Sequence, residues 1–340
     1  MNPARSFHQG IPSSGTSMQL TLNLAKMKVT ITFFGQAKKV MPWCSQFFRG
    51  FLGPVQTGDA EVVVSILNKP NDRFPFQEKA GSLIVEQLLP TRDVVAWLRE
   101  VPGYTEDFPI GQKTISSFCQ DGLLLFNPGT AAGRMYLLRQ GHGYFQPLYR
   151  LLWIYLAQVL GEKRGCFVHG AALVKDEDGY LFMGDSGAGK STVVKLCPEC
   201  RVFSDDGPIF FSQNGEYRVY PSPYHQMDLG KGLDKEVIQM SAGVKGLYFL
   251  IKDDRVFLEK VTKKEAFSMI LKRYIHFFPY LSAQAKSALF DLFFEACYKL
   301  PMYYLHFGLD EDIRKVIPVN KPGGQYDKPK RQRARNQNPL

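Results

Sequence analysis

The sequence predicts an α/β fold, and three observations support this prediction. Runs of β-branched and aromatic residues, such as 29–34 and 60–67, have the composition of strands. Apolar residues recur every three or four positions over 147–161, which predicts a helix. An apolar run at 180–183 leads through a glycine-rich loop into a second helical segment that extends to Leu196. Strands and helices therefore alternate in the second half of the chain, as they do in α/β folds.

The chain of 340 residues is expected to have two domains between two segments that build no core. Residues 1–27 hold clusters of Pro, Ser, Gly and Thr and are expected to form a flexible arm. Residues 28–140 are expected to form a smaller strand-rich N-terminal domain, and 141–317 carry the α/β pattern. Residues 318–340 are rich in Pro, Gly, Gln and Asn, which predicts a disordered basic tail.

The sequence marks the strands of the N-terminal domain with different clarity. Residues 29–34 alternate Val and Ile with Thr before two Phe, and 60–67 are dominated by Val and Ile. Both segments suit a pleated, half-buried surface and are predicted to be strands. Weaker candidates, which Gly, Pro and Asp interrupt, are 81–89, 94–98 and 122–126.

In the second domain, Pro147 falls in the first turn of the predicted helix, where its missing N–H does no harm. Gly161 and Gly165 then end that helix. Further helices are predicted at 189–196, 263–274 and 282–300. Strands are predicted at 166–174, 180–183, 201–204, 208–211, 217–220, 246–251 and 303–307.

The net charge of +10 does not by itself indicate a nucleic-acid partner, because half of it lies at the C-terminus. Residues 321–340 contain six Lys or Arg and one Asp, a net charge of +5. A basic tail of this kind attracts phosphates without selecting among them. Nucleic-acid binding by this protein is therefore not expected.

The cysteines and the hydropathy pattern exclude two other classes of protein. The six cysteines are scattered over the chain, unlike a disulfide framework, and Cys197 and Cys200 form a lone C-x-x-C without a second zinc-ligand pair. No apolar run reaches the roughly 18 residues of a membrane span, and the N-terminus lacks the apolar stretch of a signal peptide. We therefore expect a cytoplasmic protein that has no membrane partner.

A complete phosphate-binding pattern, G-x-x-x-x-G-K-[ST], occupies residues 184–191. The glycines let the backbone curl so that successive N–H groups point at phosphate oxygens, and the following helix adds its positive end. The lysine can reach the outer phosphates, and the serine hydroxyl can ligate magnesium. The residues expected to bind the nucleotide are Gly184, Asp185, Ser186, Gly187, Ala188, Gly189, Lys190, Ser191 and Thr192.

Two adjacent carboxylates, Asp205 and Asp206, follow the predicted strand 201–204. Because strand ends form the ligand crevice of an open α/β sheet, we expect this pair near the loop. One carboxylate can hold magnesium and the other can accept a proton from an attacking hydroxyl, although the pair also fits an ordinary turn. His169 lies beside Gly170 in an apolar strand, and this pattern fits either a core histidine or a group that contacts the phosphates.

Three motifs together resemble the HPr kinase/phosphorylase family, whose core is similar to that of the phosphoenolpyruvate carboxykinases. In the family's order, they are His169-Gly170 at a strand end, the loop 184–191 and the pair Asp205-Asp206. Segments 217–223 and 300–305 also look like segments of HPr-kinase-related proteins. The resemblance covers residues 145–317 and implies a P-loop core of the HPr kinase C-terminal domain type, beside the smaller strand-rich N-terminal domain.

The resemblance also implies a function, with ATP and Mg²⁺ as cofactors. It implies transfer of the γ-phosphoryl group to a serine-type hydroxyl of a protein or peptide. On this footing Lys190 and Ser191 hold the donor and the metal, His169 contacts the phosphoryl group, Asp205 binds Mg²⁺ and Asp206 is the base. The family assembles into oligomers, so a homo-oligomer is expected. We find no match to the family's signature for dephosphorylation, so phosphorylase activity is not expected.

Two other functions stay open at the level of sequence. The first is a sensing or scaffold protein with little catalysis, in which the loop binds a nucleotide as a regulatory ligand. The second is a kinase whose acceptor is a small metabolite instead of a protein. The complete loop followed by an acidic pair favours an enzyme over a scaffold.

Overall fold

The structure, a computed structural model, describes residues 17–56, 58–67, 86–101, 104–119, 122–138, 144–223, 235–308 and 312–317. Within these residues the protein is a mixed α/β protein with two β-sheets, in agreement with the predicted α/β class. None of the helices in this part of the chain combines the length and the apolar character needed to cross a membrane. The predicted basic tail, 318–340, lies outside the described residues.

The first sheet is formed by the N-terminal part of the chain. Its strands are β1 (Met18–Leu24), β2 (Met27–Phe33), β3 (Leu52–Gly53), β4 (Ala60–Leu67), β5 (Glu86–Leu89), β6 (Ile115–Cys119), β7 (Gly122–Asn127) and β8 (Ala132–Leu138). Their order is β3-β1-β2-β4-β8-β7-β6-β5, in which β2, β4 and β8 are parallel neighbours and the other pairs are antiparallel. The strands predicted at 29–34, 60–67 and 122–126 are confirmed.

The prediction of a flexible arm over 1–27 is wrong from residue 18 onward. There β1 pairs with β2 through a tight turn in which Ala25 and Lys26 both have positive φ angles, 46° and 68°. Positive φ at both central residues gives the turn a twist that matches the paired strands. Leu22 is fully buried, so apolar side chains hold this segment in the sheet. Residues 1–16 lie outside the described part of the chain.

The strand predicted at 94–98 is also wrong, because these residues belong to a helix. Helices α1 (Met41–Phe47) and α2 (Thr91–Arg99) both lie in this part of the chain. Val94, Val95 and Leu98 are the buried residues of α2, and this spacing places them on one face of a helix. In the candidate 81–89, β5 begins at Glu86, and residues 81–85 lie outside the described residues.

The second sheet is formed by the C-terminal half of the chain. Its strands are β9 (Gly165–Phe167), β10 (Gly170–Lys175), β11 (Asp178–Met183), β12 (Arg201–Ser204), β13 (Ile209–Gln213), β14 (Glu216–Tyr220), β15 (Ala242–Lys252), β16 (Phe257–Lys260) and β17 (Met302–Phe307). The order is β12-β10-β11-β15-β14-β13-β9, with β17 also paired to β15 and β16 paired to β17. The strands β11, β15 and β17 are parallel, and the other pairs are antiparallel.

The single strand predicted at 166–174 is divided in two at His169. The preceding Val168 forms an isolated antiparallel bridge with Ile275, and the His169 N–H donates to the carbonyl of Tyr274 at 2.9 Å. The next residue, Gly170, opens β10 so close to β11 that an added Cβ would lie 2.6 Å from a carbonyl oxygen. His169 is therefore held against the segment around residue 275 and not within the sheet ladder.

Helices cover both faces of the second sheet. They are α3 (Phe145–Glu162), α4 (Lys190–Leu196), α5 (Lys235–Ile238), α6 (Lys263–Met269), which continues into a π-helical turn (Ile270–Tyr274), and α7 (Ala283–Lys299). Val193 of α4 joins an apolar cluster with Phe182 and Phe307 on one face, whereas α3 and α7 pack on the other. The core around α3 continues into the first sheet. The division into domains at residue 140 stays a prediction.

Candidate functional site

The loop that carries the phosphate-binding pattern joins the end of β11 to α4, as predicted. Gly187 and Gly189 have φ angles of 79° and 105°, in the left-handed region that favours glycine. A Cβ on Gly189 would also lie 2.7 Å from Cζ of Phe307 at the end of β17. Glycine at position 189 is therefore required both by the backbone conformation and by the packing of a neighbouring strand.

Lys190, the first residue of α4, directs its side chain back beneath this loop and is 8 % exposed. Its ammonium group donates to the Gly184 carbonyl at 2.8 Å and lies 3.4 Å from the Asp185 carbonyl. On its other side are Nε2 of His169 at 2.9 Å and Oδ1 of Asp206 at 3.5 Å. The structure therefore brings together three of the four residues that the sequence predicts to be catalytic.

The acidic pair lies directly after β12, and both carboxylates are buried. The hydroxyl of Ser204 accepts hydrogen bonds from the backbone N–H groups of Asp206 at 3.3 Å and Gly207 at 2.9 Å. These two bonds fix the turn after the strand. The Gly170 N–H donates to the Asp206 carbonyl at 3.3 Å and ties this turn to β10. Asp206 is the member of the pair that contacts Lys190, and Asp205 is buried beside it at 3 % exposure.

The groups around Asp206 keep its carboxylate ionised. Burial acts to raise the pKa of Asp206, but the neighbouring His169, His276 and Lys190 together hold that pKa below its usual value. An ionised carboxylate has lone pairs for an incoming hydroxyl proton. The side chain is therefore in the protonation state that a general base requires.

The contacts of Nε2 of His169 depend on whether that nitrogen carries a proton. An ammonium group can only donate, so an unprotonated Nε2 accepts from Lys190 at 2.9 Å. The same Nε2 lies 3.3 Å from Oδ1 of Asp206, and a protonated Nε2 donates to that carboxylate. The histidine therefore bonds through this nitrogen either to the ammonium group or to the carboxylate.

A second histidine, His276, lies beside His169, although it was not predicted from the sequence. Its Nε2 is 2.9 Å from the Asp206 carbonyl oxygen, and its ring centroid is 4.9 Å from that of His169. A carbonyl only accepts, so Nε2 of His276 carries the proton. Burial is the main cause that lowers the pKa of His276 to about 4, so this ring is neutral near pH 7. No local pattern in the sequence connects residue 276 to the loop.

The other predicted nucleotide-binding residues differ in their exposure to solvent. Asp185, Ser186, Gly187 and Ser191 are exposed, whereas Gly184 is buried and Ala188, Gly189 and Thr192 are partly buried. The Asp185 carboxylate is 3.6 Å from Nη1 of Arg273. This arginine belongs to the π-helical turn and was not predicted from the sequence. The loop therefore has a buried cation beneath it and an exposed cation at its rim.

The predicted magnesium ligands fit that ion in their chemistry. Ser191 offers a hydroxyl in the first turn of α4, and Asp205 offers a carboxylate at the end of β12. Magnesium takes oxygen ligands and is usually held by one or two carboxylates, with waters and substrate phosphates completing its shell. No cluster of three His, Cys, Asp or Glu side chains suited to a metal occurs among the described residues.

Comparisons with known proteins identify a family and similar solved structures. The family described as "SynChlorMet cassette protein ScmC" matches residues 148–317. No curated protein matches the chain. Among solved structures, the HPr(Ser) kinase/phosphatase from Coxiella burnetii is similar over 41 % of this chain and 77 % of its own, with 11 % identity and a TM-score of 0.22. This low score carries no residue roles from one protein to the other.

Proposed function

The chain belongs to the SynChlorMet cassette protein ScmC family, and we propose that it is an ATP- and magnesium-dependent kinase that phosphorylates a serine-type hydroxyl of a protein or peptide. The family description names no reaction, so the proposal depends on the site. We propose a P-loop core of the HPr kinase type for residues 141–317 and a separate smaller domain for 28–140. We further propose that the kinase acts in the cytoplasm as a homo-oligomer.

One observation supports the proposal most strongly: the ammonium group of Lys190 lies among the Gly184 carbonyl, Nε2 of His169 and Oδ1 of Asp206. A lysine fixed at the base of a glycine loop is the arrangement that phosphoryl transfer uses to hold the outer phosphates of a nucleotide. A carboxylate within 3.5 Å of that lysine would lie next to the transferred group. In the proposed complex, donor and base would therefore meet beside Lys190.

In the proposed reaction the acceptor hydroxyl oxygen forms a bond to the γ-phosphorus of ATP. The bond from that phosphorus to the β,γ-bridging oxygen breaks, and ADP leaves with the electron pair. The hydroxyl proton passes to Asp206, and His169 donates a hydrogen bond to the transferred group when Nε2 is protonated. Magnesium, held by Ser191 and Asp205, would neutralise charge on the phosphate oxygens.

The proposal is tested by incubation of the protein with γ-labelled ATP and host lysate. We expect label on a protein or peptide, and Lys190→Ala should reduce transfer by at least about 100-fold because the phosphates lose their charged donor. Asp206→Asn should abolish transfer and leave ATP affinity nearly unchanged. Thermal unfolding of each variant checks that the fold is retained.

The same experiment separates the alternatives. Label that appears only in low-mass products would indicate a small-metabolite kinase. Binding of ATP without transfer to any product would indicate a nucleotide-sensing protein. Equal transfer by wild type and Asp206→Asn would reject Asp206 as the base, and equal transfer by Lys190→Ala would reject the loop as the donor site.

A further inference from the structure

Arg273 lies at the rim of the glycine loop, opposite its second residue. Its Nη1 is 3.6 Å from Oδ2 of Asp185, and the two side chains are 60 % and 59 % exposed. An exposed ion pair of this kind contributes little to stability because water and salt screen it. The guanidinium group can therefore leave Asp185 at little cost when a ligand of higher charge enters the loop.

The backbone that carries Arg273 is fixed to the site. The next residue, Tyr274, accepts the His169 N–H at 2.9 Å, and Ile275 forms a bridge with Val168. His276 then donates to the Asp206 carbonyl. Residues 270–274 form a π-helical turn, a rare conformation that is frequent at functional sites. The side chain of Arg273 is thus exposed, while hydrogen bonds to the residues around Lys190 set the position of its Cα relative to the loop.

The charges at the loop favour a second cation as a partner for the phosphate chain of a nucleotide. Each cation already faces a carboxylate: Lys190 faces Asp206, and Arg273 faces Asp185. The phosphate chain of a nucleotide brings several negative charges, and Lys190 supplies one positive charge. Arginine presents a planar fork that matches phosphate oxygens in pairs, and charge-assisted hydrogen bonds of this type are about twice as strong as neutral ones.

We propose that Arg273 is a nucleotide-binding residue that moves from Asp185 to the phosphate chain of the donor, with Asp185 as its competing partner when the loop is empty. This inference rests on the proposed function only in that the loop binds a nucleotide. It adds a residue outside the loop pattern, from the segment that also provides His276. In this proposal the Asp185 carboxylate competes with the phosphates for Arg273 and is not itself a phosphate ligand.

The test measures the dissociation constants of a non-hydrolysable ATP analogue and of inorganic tripolyphosphate by calorimetry. Arg273→Ala should weaken both about tenfold or more, which corresponds to the loss of one charged hydrogen bond of about 1.5 kcal/mol. Arg273→Lys should recover part of the loss. Asp185→Asn should tighten binding a few-fold in wild type and have no effect when Arg273 is already Ala, because the competition requires both side chains.

Arg99→Ala is the matched control. Arg99, at the end of α2, forms an exposed ion pair with Glu106 at 2.6 Å, and the two side chains are 61 % and 53 % exposed. The loss of this pair should leave both dissociation constants unchanged. If wild type binds both ligands and Arg273→Ala binds them with the same dissociation constants, the inference is wrong but the proposed function stands. Failure of wild type to bind either ligand would reject the inference together with the proposed function.

Discussion

The side-chain nitrogen of Lys190 lies 2.9 Å from Nε2 of His169, and the same histidine nitrogen lies 3.3 Å from Oδ1 of Asp206. Only one of these two contacts can be a hydrogen bond at a time, because Nε2 either accepts from the ammonium group or donates to the carboxylate. If Lys190 moves to the phosphates of a nucleotide, Nε2 loses its donor. The position of Lys190 therefore controls which partner His169 takes.

This relationship gives a first expectation for His169. His169→Ala should reduce phosphate transfer by about 100-fold, because the transferred group loses a hydrogen-bond donor. His169→Gln keeps an amide near the position of Nε2 and should lose less. Single-turnover transfer of labelled phosphate measures both variants, with ATP affinity measured in parallel. Loss of ATP binding equal to the loss of transfer would show that His169 holds the donor in its ground state and has no special role in the transfer step.

The pH dependence of stability provides a test of His276. Burial lowers the pKa of this histidine to about 4, whereas the pKa of an unperturbed histidine is about 6.5. Between these pH values the unfolded chain binds more protons at this residue than the folded chain does. The free energy of unfolding should therefore fall as pH decreases from about 6.5 to about 4, by up to about 3 kcal/mol at 1.36 kcal/mol per pKa unit.

His276→Gln is the variant that isolates this effect, since its amide retains a donor for the Asp206 carbonyl but does not titrate. Urea unfolding of wild type and variant at several pH values between about 4.5 and 7.5 gives the two curves. We expect their difference to change steadily across this range, while the contributions of other groups cancel. The lowered pKa of Asp206 places its own effect below this window. Parallel curves would contradict a neutral, buried His276.

The sequence predicted those site residues that a local pattern marks, and it missed those that the fold brings in. Lys190 is defined by the loop motif, Asp206 follows a recognisable strand, and His169 lies in a recognisable apolar run. His276 and Arg273 reach the site only because a carbonyl and a bridge join residues 274 and 275 to the segment before β10. A contact between segments so far apart in the chain leaves no spacing that can be recognised in one sequence.

The fold predictions failed for similar physical reasons. The turn between β1 and β2 is built from Ala25 and Lys26, which adopt positive φ angles without the Gly or Asn that usually signals such a hairpin. The apolar run at 94–98 is too short to distinguish a strand from one buried face of a helix. By contrast, the 18 residues of α3 carry several turns of helical periodicity, and that prediction is confirmed.

The loop glycines provide a matched pair of stability tests. Gly187 and Gly189 both have left-handed φ angles, so alanine at either position should cost about 1–2 kcal/mol. Around Gly187 nothing lies within 4 Å of an added Cβ, whereas at Gly189 the Cβ would lie 2.7 Å from Phe307. We therefore expect Gly189→Ala to lower the free energy of unfolding by more than Gly187→Ala, by a further 1–3 kcal/mol or so. Equal losses in chemical denaturation would show that the ring of Phe307 moves aside freely.

The last expectation concerns α3, which contacts both sheets. Tyr155 of this helix is fully buried and donates from its hydroxyl to the Ala131 carbonyl at 2.8 Å, next to β8. Tyr155→Phe should lower the free energy of unfolding by about 1 kcal/mol through the loss of this hydrogen bond. Because one apolar core extends from the first sheet through α3 to the second, the loss should reach both sheets.

Hydrogen exchange of peptides from β8 and from β11, followed by mass spectrometry, measures the two sheets separately in one experiment. Under conditions where exchange reports global opening, Tyr155→Phe should reduce protection by a similar factor in both peptides. Gly187→Ala is the converse control, since its strain lies beside β11, and it should also affect both peptides if the core unfolds as a unit. A loss of protection confined to the sheet next to the substitution would show that the two sheets unfold independently, as separate domains do. In that case α3 covers the sheets but does not link their unfolding.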